Sequence, residues 1–131
     1  MGNTTSIRKY NFEQMQSVTN AIIINTLPNT SQGCLILNTL RNTEEEHTIN
    51  GLLKTNKKVD IIIYGMNCND ESIYKKYTQL QDLGFVNIGV YVGGMFEWLL
   101  LQDVFGEELF PTTSKELDIL KYNSASRFLL K

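Results

Sequence analysis

The chain has 131 residues, twelve basic against fourteen acidic, with a single histidine and two cysteines. That length fits one domain able to bury a core without metals or disulfides. A net charge of −2, with no Lys/Arg stripe interleaved by aromatics, excludes a nucleic-acid footprint. Two cysteines are too few for a disulfide framework, and no apolar run is long enough to span a bilayer. A soluble protein of a reducing, cytoplasmic compartment is therefore expected.

Met1-Gly2-Asn3-Thr4-Thr5-Ser6 fits the N-myristoylation pattern, with Gly2 as the acceptor once Met1 is removed. The alternative is an unstructured polar start that meets a permissive pattern by chance. One acyl chain backed only by Arg8 and Lys9 gives at most weak membrane association. Residues 1–11 are read as a polar lead, 12–122 as the domain, and 123–131 as a tail ending in Phe128-Leu129-Leu130.

Phe12, Met15 and Val18 recur at helical spacing, so a short helix is expected over 12–19. Ala21-Ile-Ile-Ile-Asn-Thr-Leu27 is β-branched and stops at Pro28, which suits a buried strand and a turn. A second apolar run, Cys34-Leu-Ile-Leu-Asn-Thr-Leu40, follows. Thr43-Glu-Glu-Glu46 has the form of a capping box, and Ile49, Leu52 and Leu53 extend an apolar helical face to about Thr55. Asp60-Ile-Ile-Ile-Tyr64 reads as a buried strand. The loop 65–70 follows, then a helix over 71–83 closed by Gly84 in a left-handed cap. Residues 86–92 form a further strand, and Gly93-Gly94 leads into an apolar helix over 95–104. A last helix is expected over 115–122, after the Pro111-Thr-Thr-Ser114 turn. Strands alternating with helices imply an α/β domain with a mostly parallel sheet of four to five strands, covered on both faces. Ligands of such sheets gather at the carboxyl ends of the strands, which singles out the loop after Tyr64 and its neighbour after Val92.

The loop comprises Gly65, Met66, Asn67, Cys68, Asn69 and Asp70. Amides at the start of the following helix would favour an anion or a thiolate there. Asp70 and Glu71 oppose both, and the two effects offset at about 1 kcal/mol each in an exposed loop. Asp70 also suits a plain structural role as the cap of the helix after it. His47 sits mid-helix, where a solvated side chain is favoured over a catalytic base. Cys34 lies inside an apolar run and reads as an inert core residue. No Cys/His set has zinc spacing, and no Gly-rich phosphate motif occurs, so neither a metal nor a cofactor is expected. Gly93 and Gly94 either bring backbone against the active loop or simply turn a strand into a helix. The helix over 95–104 is apolar nearly all round, which makes it central to the core or a face offered to a protein partner.

The landmarks Ile61-Ile-Ile-Tyr64, then Leu83-Gly84-Phe85, a strand, Gly93-Gly94 and Trp98 together resemble the single-domain rhodanese-like family. The resemblance covers residues 12 to about 122 and implies a rhodanese-like three-layer domain. It also implies a sulfur-accepting cysteine directly after the strand tyrosine, where this chain has Gly65. An Asp-Val-Arg at an early strand end is replaced here by Asn25-Thr26-Leu27. Two readings follow. One is a catalytically degenerate or weak domain that binds a small anion or, through helix 95–104, a protein. The other is a sulfurtransferase that moves sulfane sulfur from a donor such as thiosulfate through a persulfide on Cys68, with loop amides holding the charge. A phosphatase-like variant needs a cysteine at the loop start and an arginine at its end, and neither Gly65 nor Asp70 serves.

Overall fold

The computed structural model describes residues 7–123. Five strands form one sheet of parallel neighbours in the order β1-β5-β4-β2-β3: β1 (Arg8–Tyr10), β2 (Ile22–Asn25), β3 (Thr39–Leu40), β4 (Ile61–Tyr64) and β5 (Ile88–Tyr91). Every residue of β4 and β5 is buried, which is why Ile61–Tyr64 shows no alternation of polar and apolar residues: a central parallel strand meets a covered face on both sides. Ile61 and Ile63 point to one layer, with Ile49 of α2 (Asn42–Thr55) and Ile73 and Leu80 of α3 (Ser72–Asp82). Ile62 and Tyr64 point to the other, with Met15 of α1 (Phe12–Gln16) and Met95, Trp98 and Leu99 of α4 (Gly94–Phe105). The result is a three-layer α/β fold. Its topological switch lies between β2 and β4, since the chain runs outward from β2 to β3 and then returns to pair β4 on the other side of β2.

Four elements differ from the sequence reading. β1 lies inside the stretch read as a polar lead; its three residues pair with β5, and their sheet-edge position supplies what local pattern does not. α1 stops at Gln16, where the Ser17 hydroxyl turns back onto the carbonyls of Glu13 and Gln14. α2 begins at Asn42 rather than after Thr43: the Asn42 amide donates to Gln32 Oε1 at 3.0 Å, and Glu44, not Glu46, reaches back to the Arg41 amide at 3.2 Å. A partner from the preceding turn thus overrides the local capping signal. In place of a helix over 115–122 there is only a 3₁₀ turn, Ile119–Tyr122. Thr113 and Ser114 are drawn instead to the backbone around Gly33 and Leu35.

Three local signals hold, at Gly84, His47 and Cys34. Gly84 closes α3 at φ +108°, with Phe85 N–H on Leu80 C=O and Gly84 N–H on Gln81 C=O, the Schellman pattern. His47 is exposed. Cys34 is buried, its thiol donates to Ser114 C=O at 3.2 Å, and burial pushes the thiol pKa up. Gly2 and Phe128-Leu129-Leu130 lie outside the described residues, among which no helix is long and apolar enough to cross a membrane.

Candidate functional site

The loop after β4 emerges beside the end of β2, at the switch point. Its first residues are clamped from below by the start of α4: Met95 N–H donates to Gly65 C=O at 2.9 Å and Phe96 N–H to Met66 C=O at 2.8 Å. This contact needs Gly94 to be glycine. Its φ is +69°, and a Cβ there would lie 2.8 Å from Gly65 O and 2.9 Å from Asn67 N. Of the two roles open to the glycine pair, Gly94 therefore fills both, turning the chain and admitting the loop backbone.

Asp70 is folded back into the loop. Its Oδ2 accepts the Met66 amide at 2.8 Å, and its Oδ1 accepts the Ser72 amide at 3.0 Å and the Ser72 hydroxyl at 2.6 Å. Thr26, at the end of β2, joins the cluster with its Oγ1 2.6 Å from Ser72 Oγ. Asn67 Oδ1 takes the Asn69 amide at 2.8 Å, Asn67 C=O takes the Asp70 amide at 3.2 Å, and Asn67 Nδ2 donates to Tyr122 C=O at 2.7 Å. A carboxylate with three short donors is the usual partner of such amides, so the loop supplies its own anion. The N-cap of α3 is Glu71, which makes no side-chain cap bond; Asp70, one residue earlier, holds the Ser72 amide in an Asx turn ahead of the helix, and the same side chain closes the loop.

Gly65 faces this carboxylate. A Cβ on Gly65 would lie 2.8 Å from Asp70 Cγ and 3.0 Å from Thr26 Oγ1, so no side chain fits at position 65 while Asp70 holds its place. Cys68 lies on the exposed side of the turn. The structure thus brings Gly65, Met66, Asn67, Asn69, Asp70 and Gly94 together, and leaves the Cys68 side chain at the surface. Gly93 sits against the Glu97 side chain, whose Oε1 accepts the Tyr91 hydroxyl at 2.6 Å; burial and that carboxylate both push the Tyr91 pKa up.

Sequence reasoning missed three participants. Ser72 follows Asp70 at the spacing of an Asx turn, a signal present in the sequence. Thr26 is brought in by the β2–β4 pairing, which sets Asn25 opposite Tyr64, and Tyr122 by the packing of the last turn. Asn25 is itself buried and fully used: Nδ2 donates to Leu40 C=O at 3.0 Å and to Gln32 Oε1, while Oδ1 accepts from the Leu27 amide and Gln32 Nε2. The residue thus ties the end of β2 to β3 and to the turn before α2. Tyr64 is equally committed, its hydroxyl 3.0 Å from both Ile36 N and Thr39 Oγ1, and burial raises its pKa.

A parallel five-stranded sheet with the loop after its central strand pinned by a Gly-Gly helix start defines a rhodanese-like domain. The family model for that domain matches residues 6–101, and the chain belongs to the rhodanese-like family. Among solved structures, the Alr3790 protein of Anabaena sp. is similar at 21% identity over 91% of this chain and 88% of that one, with a TM-score of 0.59. The single-domain sulfurtransferase RDL2 of Saccharomyces cerevisiae is similar at 15% identity over 84% of this chain and 100% of that one, with a TM-score of 0.50. At these identities the likeness speaks for the fold alone. No curated protein matches the chain.

Proposed function

We propose that this rhodanese-like domain does not relay sulfur efficiently at its loop and works as a protein-binding module. The observation that carries this reading is the Asp70 carboxylate seated on the Met66 and Ser72 amides, against the point where a Gly65 side chain would start. Amides already given to a carboxylate are not open to a persulfide or a sulfur-donor anion, and the fixed negative charge repels either one. The same charge weighs against a small-anion site in the loop and favours the protein partner of helix 95–104. The partly exposed apolar surface of α4 supports that choice.

The rival reading, sulfur transfer through Cys68, is favoured by one feature, the exposure of that cysteine. In it the Cys68 thiolate attacks the outer sulfur of thiosulfate, a sulfur–sulfur bond forms at Cys68, the bond to the sulfonate sulfur breaks, and sulfite leaves. Incubation with thiosulfate followed by intact-mass measurement separates the two. A chain unchanged in mass supports the module. An adduct one sulfur atom heavier that disappears in Cys68→Ala overturns it.

A further inference from the structure

We infer that the outer face of α4 and the segment after it dock a cationic amphipathic helix of another protein. This rests on the reading of the domain as a binding module and names the chemistry of its partner. α4 buries Met95, Trp98, Leu99 and Gln102, yet Leu100 and Val104 are 45% and 68% exposed. These two are four residues apart, so they form one apolar ridge along the helix. Next to the ridge, between the last turn of α4 and the following segment, is a cavity of about 260 Å³ lined by three carboxylates, Asp103, Glu107 and Glu116, one cation, Lys115, and apolar side chains that include Leu117 and Ile119. Glu116 is paired with Lys121 at 2.6 Å, whereas among the described residues Asp103 and Glu107 make no ion pair. The exposed Leu117 beside two unengaged carboxylates suits a long cationic side chain, whose aliphatic stem would lie on Leu117 and whose head would reach Asp103 and Glu107.

Charge decides among the occupants. Residues 97–121 carry six carboxylates (Glu97, Asp103, Glu107, Glu108, Glu116 and Asp118) and two lysines, Lys115 and Lys121, a net of −4, against −2 for the whole chain, so the rest of the chain carries +2. A two-fold contact with a second copy would set this acidic face against itself. An anionic membrane is repelled for the same reason. A partner helix with its own apolar ridge flanked by Arg or Lys meets both the Leu100/Val104 stripe and the carboxylates.

The test uses the full chain and two fluorescein-labelled synthetic helices that share a leucine stripe, one flanked by Arg and the other by Glu, followed by anisotropy at about 0.15 M salt. The Arg helix is expected to bind and the Glu helix not to. Asp103→Lys combined with Glu107→Lys, and separately Val104→Asp, should weaken binding about tenfold or more. Asp82→Lys, on exposed α3, should leave it unchanged. All these positions are exposed, so circular dichroism should report an unaltered fold. Failure of the Arg helix to bind overturns the inference, as do equal binding of both helices, equal weakening by Asp82→Lys, or indifference to the Asp103/Glu107 pair. Sedimentation as a dimer that Val104→Asp dissociates would assign the face to a second copy and overturn it too. A sulfur adduct on Cys68 would instead count against the module reading while leaving peptide binding as measured, so the two failures are distinguishable.

Discussion

Gly65→Ala, tested with and without Asp70, probes the loop directly. Gly65 is not in the left-handed region, so a methyl group there brings no backbone strain and its cost is contact alone. The new Cβ would sit 2.8 Å from Asp70 Cγ and 3.0 Å from Thr26 Oγ1. Crowding of this kind costs about 1–3 kcal/mol if nothing moves. If Asp70 swings out instead, its hydrogen bonds to the Met66 amide, the Ser72 amide and the Ser72 hydroxyl are lost. Each is worth roughly 1.5–3 kcal/mol to a buried charge and much less at this half-exposed site, so a total of about 2–3 kcal/mol is reasonable for either route. Asp70→Ala alone should cost about 1–3 kcal/mol by the same bonds. In the double variant the methyl group enters space already vacated, and Gly65→Ala should then cost under about 1 kcal/mol. The expected coupling is therefore about 2 kcal/mol, read from urea midpoints at constant m. Equal costs of Gly65→Ala in both backgrounds, to within about 0.5 kcal/mol, would refute the claim that Asp70 occupies the space over Gly65.

Gly94→Ala should be the most damaging glycine change in the domain, since it combines a φ of +69° with a Cβ pressed on Gly65 O; about 3 kcal/mol or more is expected in chemical denaturation, against about 1–2 for Gly84→Ala, whose Cβ would meet only the flexible Lys57 side chain at 3.4 Å and beyond. Tyr64 and Tyr91 both have pKa values raised by burial, so the folded state holds their protons to higher pH than the unfolded chain does. Their share of the stability should be constant below the ordinary tyrosine range near 10 and fall above it, by about 1.4 kcal/mol per pH unit for each tyrosine, while the Cys34 thiol, also raised by burial, begins the same kind of loss at lower pH. Urea titrations between about pH 8 and 11 should show this slope, and Tyr91→Phe should remove one tyrosine's share of it. The buried Tyr122 hydroxyl has no hydrogen-bond partner among the described residues, so Tyr122→Phe should leave the thermal midpoint unchanged or raise stability by up to about 1 kcal/mol; a loss would mean the hydroxyl is satisfied in solution.

What could be read from the chain beforehand divides along physical lines. β4 and β5 announced themselves because a parallel strand buried on both faces is apolar at every position, and Gly84 because a left-handed cap has a strong residue preference. Arg8–Tyr10 gave no such signal: an edge strand of three mixed residues owes its existence to the neighbour it pairs with, not to its own pattern. The start of α2 departs from its local signal for a related reason, because the cap that counts comes from Gln32, ten residues away. In the loop, the identities of the residues were legible but not their directions. Asp70 reads as a helix cap; in the structure it sits one residue before the N-cap Glu71, and nothing in the sequence distinguishes a carboxylate that caps from one that forms an Asx turn and also reaches the Met66 amide.

The direction of Asp70 also changes what the glycine at position 65 means. By sequence, a missing side chain after Tyr64 is a simple loss, reversible by putting a cysteine back. In the folded loop the carboxylate and any side chain at position 65 compete for one space, and the Thr26–Ser72 hydroxyl pair holds the carboxylate in it. The loop is closed by its own charge rather than left vacant, so Gly65→Cys alone should crowd the site without opening the amides, and the Met66 and Ser72 N–H groups become available only once Asp70 is replaced as well. Thiosulfate reactivity at position 65 should accordingly require both changes, Gly65→Cys with Asp70→Ala, and appear in intact-mass spectra as a sulfur adduct carried by the double variant and absent from either single one. An adduct on Gly65→Cys alone would mean that Asp70 yields its place freely and that its charge does not govern the loop.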